Sequence, residues 1–258
     1  MPGLSFIHLT DCHLPDHQSD KETNKKVNDF NSIESLSDVI SDIKKNNLAY
    51  DFILVTGDIS QAGTNEGYAI FNKLIQSLQK PVYCLPGNHD STETLKKYFP
   101  TTPNQAISVN MVKQHLLILL NSKILNDQAG EISANQLKQL ESILTTNNNR
   151  PVIVAMHHHP ISTNSLWLDN IKLKNGDVLL NLLGKFKEVK IALFGHVHQE
   201  IDIKSNNIRL IGSPSTSYQF KPGADTNTRD ILESGYRIVK LFNDEIDTQV
   251  YRLKPKVE

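Results

Sequence analysis

Five short apolar runs in this chain each stop at a polar cluster, and that recurrence constrains the fold more than any single residue does. Leu4-Ser-Phe-Ile-His-Leu-Thr10 ends in Asp11-Cys12-His13, and Phe52-Ile-Leu-Val-Thr56 ends in Gly57-Asp58. Val82-Tyr83-Cys84-Leu85 runs into Pro86-Gly87-Asn88-His89-Asp90. Pro151-Val-Ile-Val-Ala-Met156 leads to His157-His158-His159-Pro160, and Val189 to Phe194 leads to Gly195-His196-Val197-His198. Apolar runs of this length, stopped by glycine, proline or charge, read as buried strands. Between the first three lie helical patterns: Ile33, Leu36, Val39, Ile40 and Ile43 recur from Ser32 to about Asn46, and Tyr68, Phe71, Leu74, Ile75 and Leu78 precede the third run. Strand-helix alternation predicts parallel pairing with right-handed crossovers. In open sheets of that kind the chemistry collects at the carboxyl ends of the strands.

The second half changes texture. After a short helix over Thr92 to Tyr98, Ala106 to Met111 and His115 to Leu120 read as adjacent strands turning near Lys113. Ser133-Ala-Asn-Gln136 has the form of a capping box and opens a helix carrying Leu137, Leu140, Ile143 and Leu144. A further helix is expected from about Asp177 to Phe186. Ile201 to Lys204, Ile208 to Ile211, Tyr236 to Phe242 and Thr248 to Leu253 read as meander strands. At 258 residues the chain is near the upper size for one hydrophobic core, so residues 1–258 are expected to form a single α/β domain.

Composition narrows the partners. A net charge of −1, with no basic cluster larger than pairs such as Lys44-Lys45, argues against duplex nucleic acid. No apolar run is long enough to span a bilayer and no basic leader precedes the first strand, so no membrane and a cytoplasmic location are expected. Cys12 and Cys84 lie in or beside strands and are expected to be buried, reduced and inert. The polar, turn-like segment 15–28 is expected to form a mobile rim.

The histidines carry the functional signal. Seven of the ten fall in the polar clusters, although imidazole is not a preferred turn former. Asp11 and His13, two apart, can point to one side of a strand. Imidazoles, carboxylates and one amide oxygen, without thiolate, suit borderline divalent metals such as Fe, Mn or Zn. Their number exceeds what one ion needs; two ions roughly 3.5 to 4 Å apart would use them, as in phosphoester hydrolysis.

In this order the five blocks resemble the calcineurin-like metallophosphoesterase family. Their closer texture resembles the bacterial class III 3',5'-cyclic AMP phosphodiesterases, through Asp11-Cys-His-Leu14, Leu85-Pro-Gly-Asn-His-Asp90, the triple histidine before Pro160, Ser165-Leu-Trp-Leu-Asp169, Gly195-His-Val-His-Gln-Glu200 and the stretch from Ser213 to Pro222. The resemblance implies two mixed β-sheets packed face to face with flanking helices. It implies that Asp11, His13 and His198 hold one ion, that Asn88, His157 and His196 hold a second, and that Asp58 bridges both, with a water or hydroxide between the ions. His13, Asp58, Asn88, His89 and His198 would face the substrate. Cys12 stands where relatives often carry a small polar residue, and between two ligands it should point away from the metals.

The activity so implied is hydrolysis of 3',5'-cyclic AMP to 5'-AMP, with glycerophosphodiesters, nucleotide-sugar lipids or nucleic-acid ends as alternative substrates. A non-catalytic binding module would have lost ligands, and all seven positions are filled here. Cleavage needs a proton for the departing oxygen, and His89, beside a ligand but outside the ligand set, is the expected general acid. Asp90 is expected to accept a hydrogen bond from His89, or else to cap the helix that follows. Of His158 and His159, one is expected to orient a ligand or touch phosphate and the other to pack. His8 is expected in the core, His17 and His115 in solvent. Trp167 could floor a base pocket or simply pack, Arg209 and Lys221 could meet phosphate or form surface pairs, and homo-oligomerisation stays open.

Overall fold

The structure, a computed structural model, describes residues 3–15, 30–104, 106–205, 207–242 and 245–255. Eleven strands among these residues form two mixed sheets. The first contains β1 (Leu4–Leu9), β2 (Phe52–Val55), β3 (Val82–Cys84), β10 (Gly235–Phe242) and β11 (Glu245–Arg252), in the order β11-β10-β1-β2-β3. β1, β2 and β3 are parallel, and β10 and β11 add antiparallel strands at one edge. The second sheet runs β4 (Ser108–Val112), β5 (His115–Leu119), β6 (Val152–Ala155), β7 (Val189–Phe194), β9 (Ile208–Gly212) and β8 (Ile201–Ser205), parallel through its centre and antiparallel at both edges.

The central strands are apolar on both faces, which is why they look continuous in the sequence. Alternation is still present, as a division of labour between two cores. Leu4 and Phe6 of β1, Phe52 and Leu54 of β2, and Ile153 and Ala155 of β6 point into the layer between the sheets. Ile7, Leu9, Ile53 and Val55 point outward, under α1 (Ser32–Lys45), α2 (Asn65–Ile75) and α3 (Thr92–Tyr98). Val152 and Val154 face α4 (Ala134–Thr146) and α6 (Gly176–Leu183) on the other side. Burying each such side chain contributes about 1.5–3 kcal/mol, so a one-residue register slip would empty both cores at once.

Three of the six α-helices among the described residues start at a side-chain cap. Asn31 and Ser133 accept hydrogen bonds from Glu34 N and Gln136 N at the starts of α1 and α4. The capping box at Ser133 is only half formed, because the Gln136 amide is buried and bonds both backbone groups of Asn121 instead. A short helix, α5 (Leu166–Asn170), occupies the polar segment after Pro160, and β11 begins earlier than its apolar pattern suggested. His115, expected in solvent, is 9% exposed within β5, and His17 lies outside the described residues, as does most of the expected rim.

Towards the carboxyl ends of the central strands the inter-sheet layer turns polar. His8, fully buried, bonds Thr56 Oγ1 at 2.8 Å. Arg237, opposite it on β10, donates to Thr248 Oγ1 at 3.0 Å and to the Gly212 carbonyl at 3.2 Å. Among the described residues no helix is long and apolar enough to cross a membrane.

Candidate metal centre

The ends of β1, β2, β3, β6 and β7 meet at one edge of the sandwich, and their turns are unusual. Asp11, His13, Asp58, His196 and His198 all have positive φ, between 47° and 69°. Non-glycine residues there carry strain that surrounding structure must hold, and such strain gathers at functional sites. Here the holding is visible in the backbone. Asp11 N donates to the Gly57 carbonyl at 2.9 Å, His13 N to that of Asp58 at 2.9 Å, and Gly195 N to that of His157 at 3.0 Å. At Gly87 the approach is so close that a Cβ would fall 2.1 Å from Asp58 Oδ1, so only glycine lets the end of β3 reach the carboxylate.

These turns gather two sets of donors. In one, His13 Nε2 lies 3.1 Å from His198 Nε2, which lies 3.4 Å from Asp11 Oδ1. In the other, His157 Nε2 lies 3.1 Å from both Asn88 Oδ1 and His196 Nδ1. Asp58 Oδ2 stands between them, 3.3 Å from His157 Nε2 and 3.9 Å from His13 Nε2. The rings are anchored from behind: His157 Nδ1 bonds the Thr56 carbonyl at 2.7 Å and His198 Nδ1 bonds that of Tyr218 at 2.7 Å. A carbonyl only accepts, so in the neutral rings the proton sits on Nδ1 and the Nε2 lone pair faces the cluster. Lone pairs aimed at one another at 3.1 Å repel unless a cation joins them, and nitrogen donors about 2.1 Å from an ion would lie at such separations.

Both carboxylates are oriented by their second oxygens. Asp58 Oδ1 accepts from His89 N at 2.9 Å, and Asp11 Oδ2 accepts from Thr10 Oγ1 at 2.7 Å and His196 N at 3.0 Å. Burial works to raise the pKa of both, but the neighbouring histidines, His198 for Asp11 and His157 for Asp58, outweigh it and keep them ionised. Burial also works against charge on His157, yet the Asp58 carboxylate raises it to about 9. His13, farther from Asp58, is pushed by burial to about 3. In the metal-free protein, then, a proton on His157 places positive charge beside the Asp58 carboxylate.

Around this cluster the remaining candidates separate. His89, half-buried, bonds the Gln61 main-chain carbonyl through Nδ1 at 2.8 Å, and its ring stands edge-on to His13 with centroids 4.9 Å apart. One nitrogen of His89 lies within 4.8 Å of donor atoms of His13 and Asp58. Asp90 takes neither expected role. Its carboxylate accepts from Gly87 N at 2.9 Å, Ser60 N at 3.0 Å, Ile59 N at 3.1 Å and Tyr68 Oη at 3.0 Å, so it staples the end of β2 to the turn after β3. Ser91 caps α3 in its place. One nitrogen of His158 lies within 4.8 Å of donor atoms of His157 and His196, but both its ring nitrogens are engaged, by Ser122 Oγ at 2.7 Å and the Gln128 carbonyl at 3.1 Å, so it packs beside the cluster with neither nitrogen free. His159 is fully buried, stacks on His196 at 5.7 Å between centroids, and has no hydrogen bond at either ring nitrogen.

Aromatic residues line one side. Phe220 stacks on His198 at 4.1 Å between centroids, Trp167 stands edge-on to Phe220 at 4.7 Å, and the half-exposed Tyr218 lies 4.9 Å from His198. Arg229 sits over the Tyr218 ring at 4.4 Å. Arg209 instead pairs with Asp202 on the second sheet, at 2.7 Å through both Nε and Nη2. Cys12 and Cys84 are fully buried; burial pushes the Cys12 thiol up to about 12 and the Cys84 thiol well above its usual range, so both stay protonated. Gln61, Ser122 and Arg229 lie outside the segments that carried the resemblance, and Tyr218 lies inside one without being singled out; their roles come from contacts across the fold.

Residues 4–200 match the family profile of calcineurin-like phosphoesterases. The chain is 33% identical, over 98% of its length and 91% of the relative's, to a 3',5'-cyclic adenosine monophosphate phosphodiesterase of Haemophilus influenzae. It is also 33% identical to a 3',5'-cyclic-nucleotide phosphodiesterase of Nostoc, over 93% of this chain and 89% of that one. Among solved structures it resembles a dimetal phosphatase of Danio rerio with a TM-score of 0.69 at 13% identity, covering 96% of this chain and 95% of that one, a likeness of fold.

Proposed function

The chain belongs to the calcineurin-like phosphoesterase family, and from that premise we propose that it hydrolyses 3',5'-cyclic AMP to 5'-AMP at a centre of two divalent ions. The observation that carries the reading is the meeting of two lone-pair donor sets at one carboxylate oxygen, Asp58 Oδ2. In this reading Asp11, His13 and His198 hold one ion, Asn88, His157 and His196 hold the other, and Asp58 is shared. The donors are hard or borderline, with no thiolate, which fits Fe, Mn or Zn.

When bound, the ions would supply a water acidified towards neutrality and positive charge for the phosphoryl oxygens. The chain supplies the rest. His89 delivers a proton from Nε2 to the departing 3' oxygen, since its Nδ1–H is already committed to the Gln61 carbonyl. Asn88, His13, Asp58 and His198 lie together in the donor cluster and orient the diester. Tyr218, with Arg229 over its ring and His13 stacked 5.7 Å away, places an aromatic and a cationic group beside the cluster for the nucleoside to meet. The two protonated, buried thiols fit the reducing cytoplasm, where we place the enzyme.

The test is a panel of cyclic and linear phosphodiesters assayed with Mn and with Fe. Preference for 3',5'-cyclic nucleotides supports the reading. Equal or faster turnover of glycerophosphodiesters or other linear diesters would overturn it.

A further inference from the structure

Gln61 lies three residues beyond Asp58, outside every motif quoted above, and touches both the donor cluster and the expected acid. Its Oε1 lies 2.8 Å from His13 Nδ1, and its main-chain oxygen lies 2.8 Å from His89 Nδ1. The residue is itself fixed. Pairing of the first two strands continues past their ends, with Leu14 N on the Ile59 carbonyl at 2.9 Å and Gln61 N on the Leu14 carbonyl at 2.8 Å, while the Asp90 carboxylate holds Ile59 N and Ser60 N.

We propose that Gln61 is a positioning residue that keeps a proton on Nδ1 of both His13 and His89, through its amide oxygen and its carbonyl, so that His13 Nε2 is left as a lone pair for an ion and His89 Nε2 is the nitrogen that carries the acid proton. The inference rests on the two-ion reading, though not on the identity of the substrate. His157 and His198 are anchored in the same sense by the backbone carbonyls of Thr56 and Tyr218. Of these three rings anchored from behind through Nδ1, His13 is the one held by a side chain, so its anchor is the one that substitution can release. Without that acceptor, His13 can move its proton to Nε2, where His198 Nε2, 3.1 Å away, would accept it, and the lone pair the ion needs is lost. Partners that orient a ligand in this way typically matter by about 10- to 100-fold in metal affinity. Because the His89 contact is to the main chain, substitution at 61 should leave the acid in place and act on the metal.

The experiment is a chelator competition with Mn and Zn on the wild type, Gln61→Ala and Gln61→Glu. The expected result is two ions in the wild type, about 10- to 100-fold weaker binding of one of them in Gln61→Ala, and restored binding in Gln61→Glu, whose carboxylate can also accept from Nδ1. Unchanged affinity in Gln61→Ala, or Gln61→Glu as weak as Gln61→Ala, overturns the proposal. A second measurement needs no variant: nitrogen NMR of the zinc-loaded wild type should place a proton on Nδ1 of His13 and of His89, and a proton on His13 Nε2 overturns it. A wild type that binds no divalent ion would refute the metal-centre reading, and this proposal with it. A wild type that binds two ions but spares cyclic AMP would refute the substrate alone.

Discussion

Asp58 Oδ2, at the end of β2, lies 3.3 Å from His157 Nε2, at the end of β6, so the first sheet reaches the second through a carboxylate and an imidazole. The apolar layer between the sheets aligns the two strands, and the glycine at position 87 leaves room for the carboxylate. The metal centre we propose therefore depends on the packing of the sandwich.

Removing the shared oxygen should differ from removing a donor of one set. Asp58→Asn is expected to lose both ions at micromolar free metal, and Asn88→Ala to lose only one, as read by elemental analysis after dialysis. Equal stoichiometry in the two variants would contradict a bridging role for Asp58.

His89→Ala should keep both ions and lose turnover of cyclic AMP by about 10²- to 10⁴-fold. Its effect on bis(4-nitrophenyl) phosphate should be much smaller, because nitrophenolate departs without a proton. The same loss on both substrates would contradict the general-acid role.

Metal affinity should rise with pH. His157 is raised to about 9 in the metal-free protein, so at pH 7 an ion must displace its proton. Affinity should increase about tenfold per pH unit from neutrality and level off near pH 9. With the folded value above the unfolded 6.5, the same shift stabilises the metal-free fold below about pH 6.5, and that stabilisation fades as pH rises through about 9. Calorimetry in buffers of different ionisation enthalpy would count the proton, and absence of proton release at pH 7.5 would contradict the account.

Asp90→Ala should act on stability before chemistry. It leaves the backbone N–H groups of Gly87, Ile59 and Ser60 without their buried acceptor, at a cost on the order of 3 kcal/mol, and Tyr68→Phe should cost about 1 kcal/mol. Denaturant midpoints of the metal-free protein would show it. An unchanged midpoint in Asp90→Ala would contradict the staple.

The strand ends were legible because each joins a local apolar run to a local polar cluster, and both marks lie within a few residues of each other. Asp90 was misread because its partners are backbone N–H groups of residues 59 and 60, and backbone acceptor needs leave no trace in side-chain identity. The roles of Gln61 and Tyr218 were missed because they are made by contacts across the fold: both contribute a main-chain carbonyl, and the Gln61 amide oxygen reaches His13 only because Leu14 pairs with residues 59 and 61. The triple histidine showed that something was gathered at the end of β6, but not that only His157 faces the other donors, because that depends on Ser122 and Gln128 taking both nitrogens of His158. His115 looked solvated as a polar residue after a turn, whereas it opens a strand covered on both faces.

The central claim is cleavage of a 3',5'-cyclic diester at its 3' oxygen, with His89 protonating that oxygen. Chromatography of the products formed by the Mn-loaded protein from 3',5'-cyclic AMP tests it most directly. The account predicts 5'-AMP alone, and 3'-AMP or no product would contradict it.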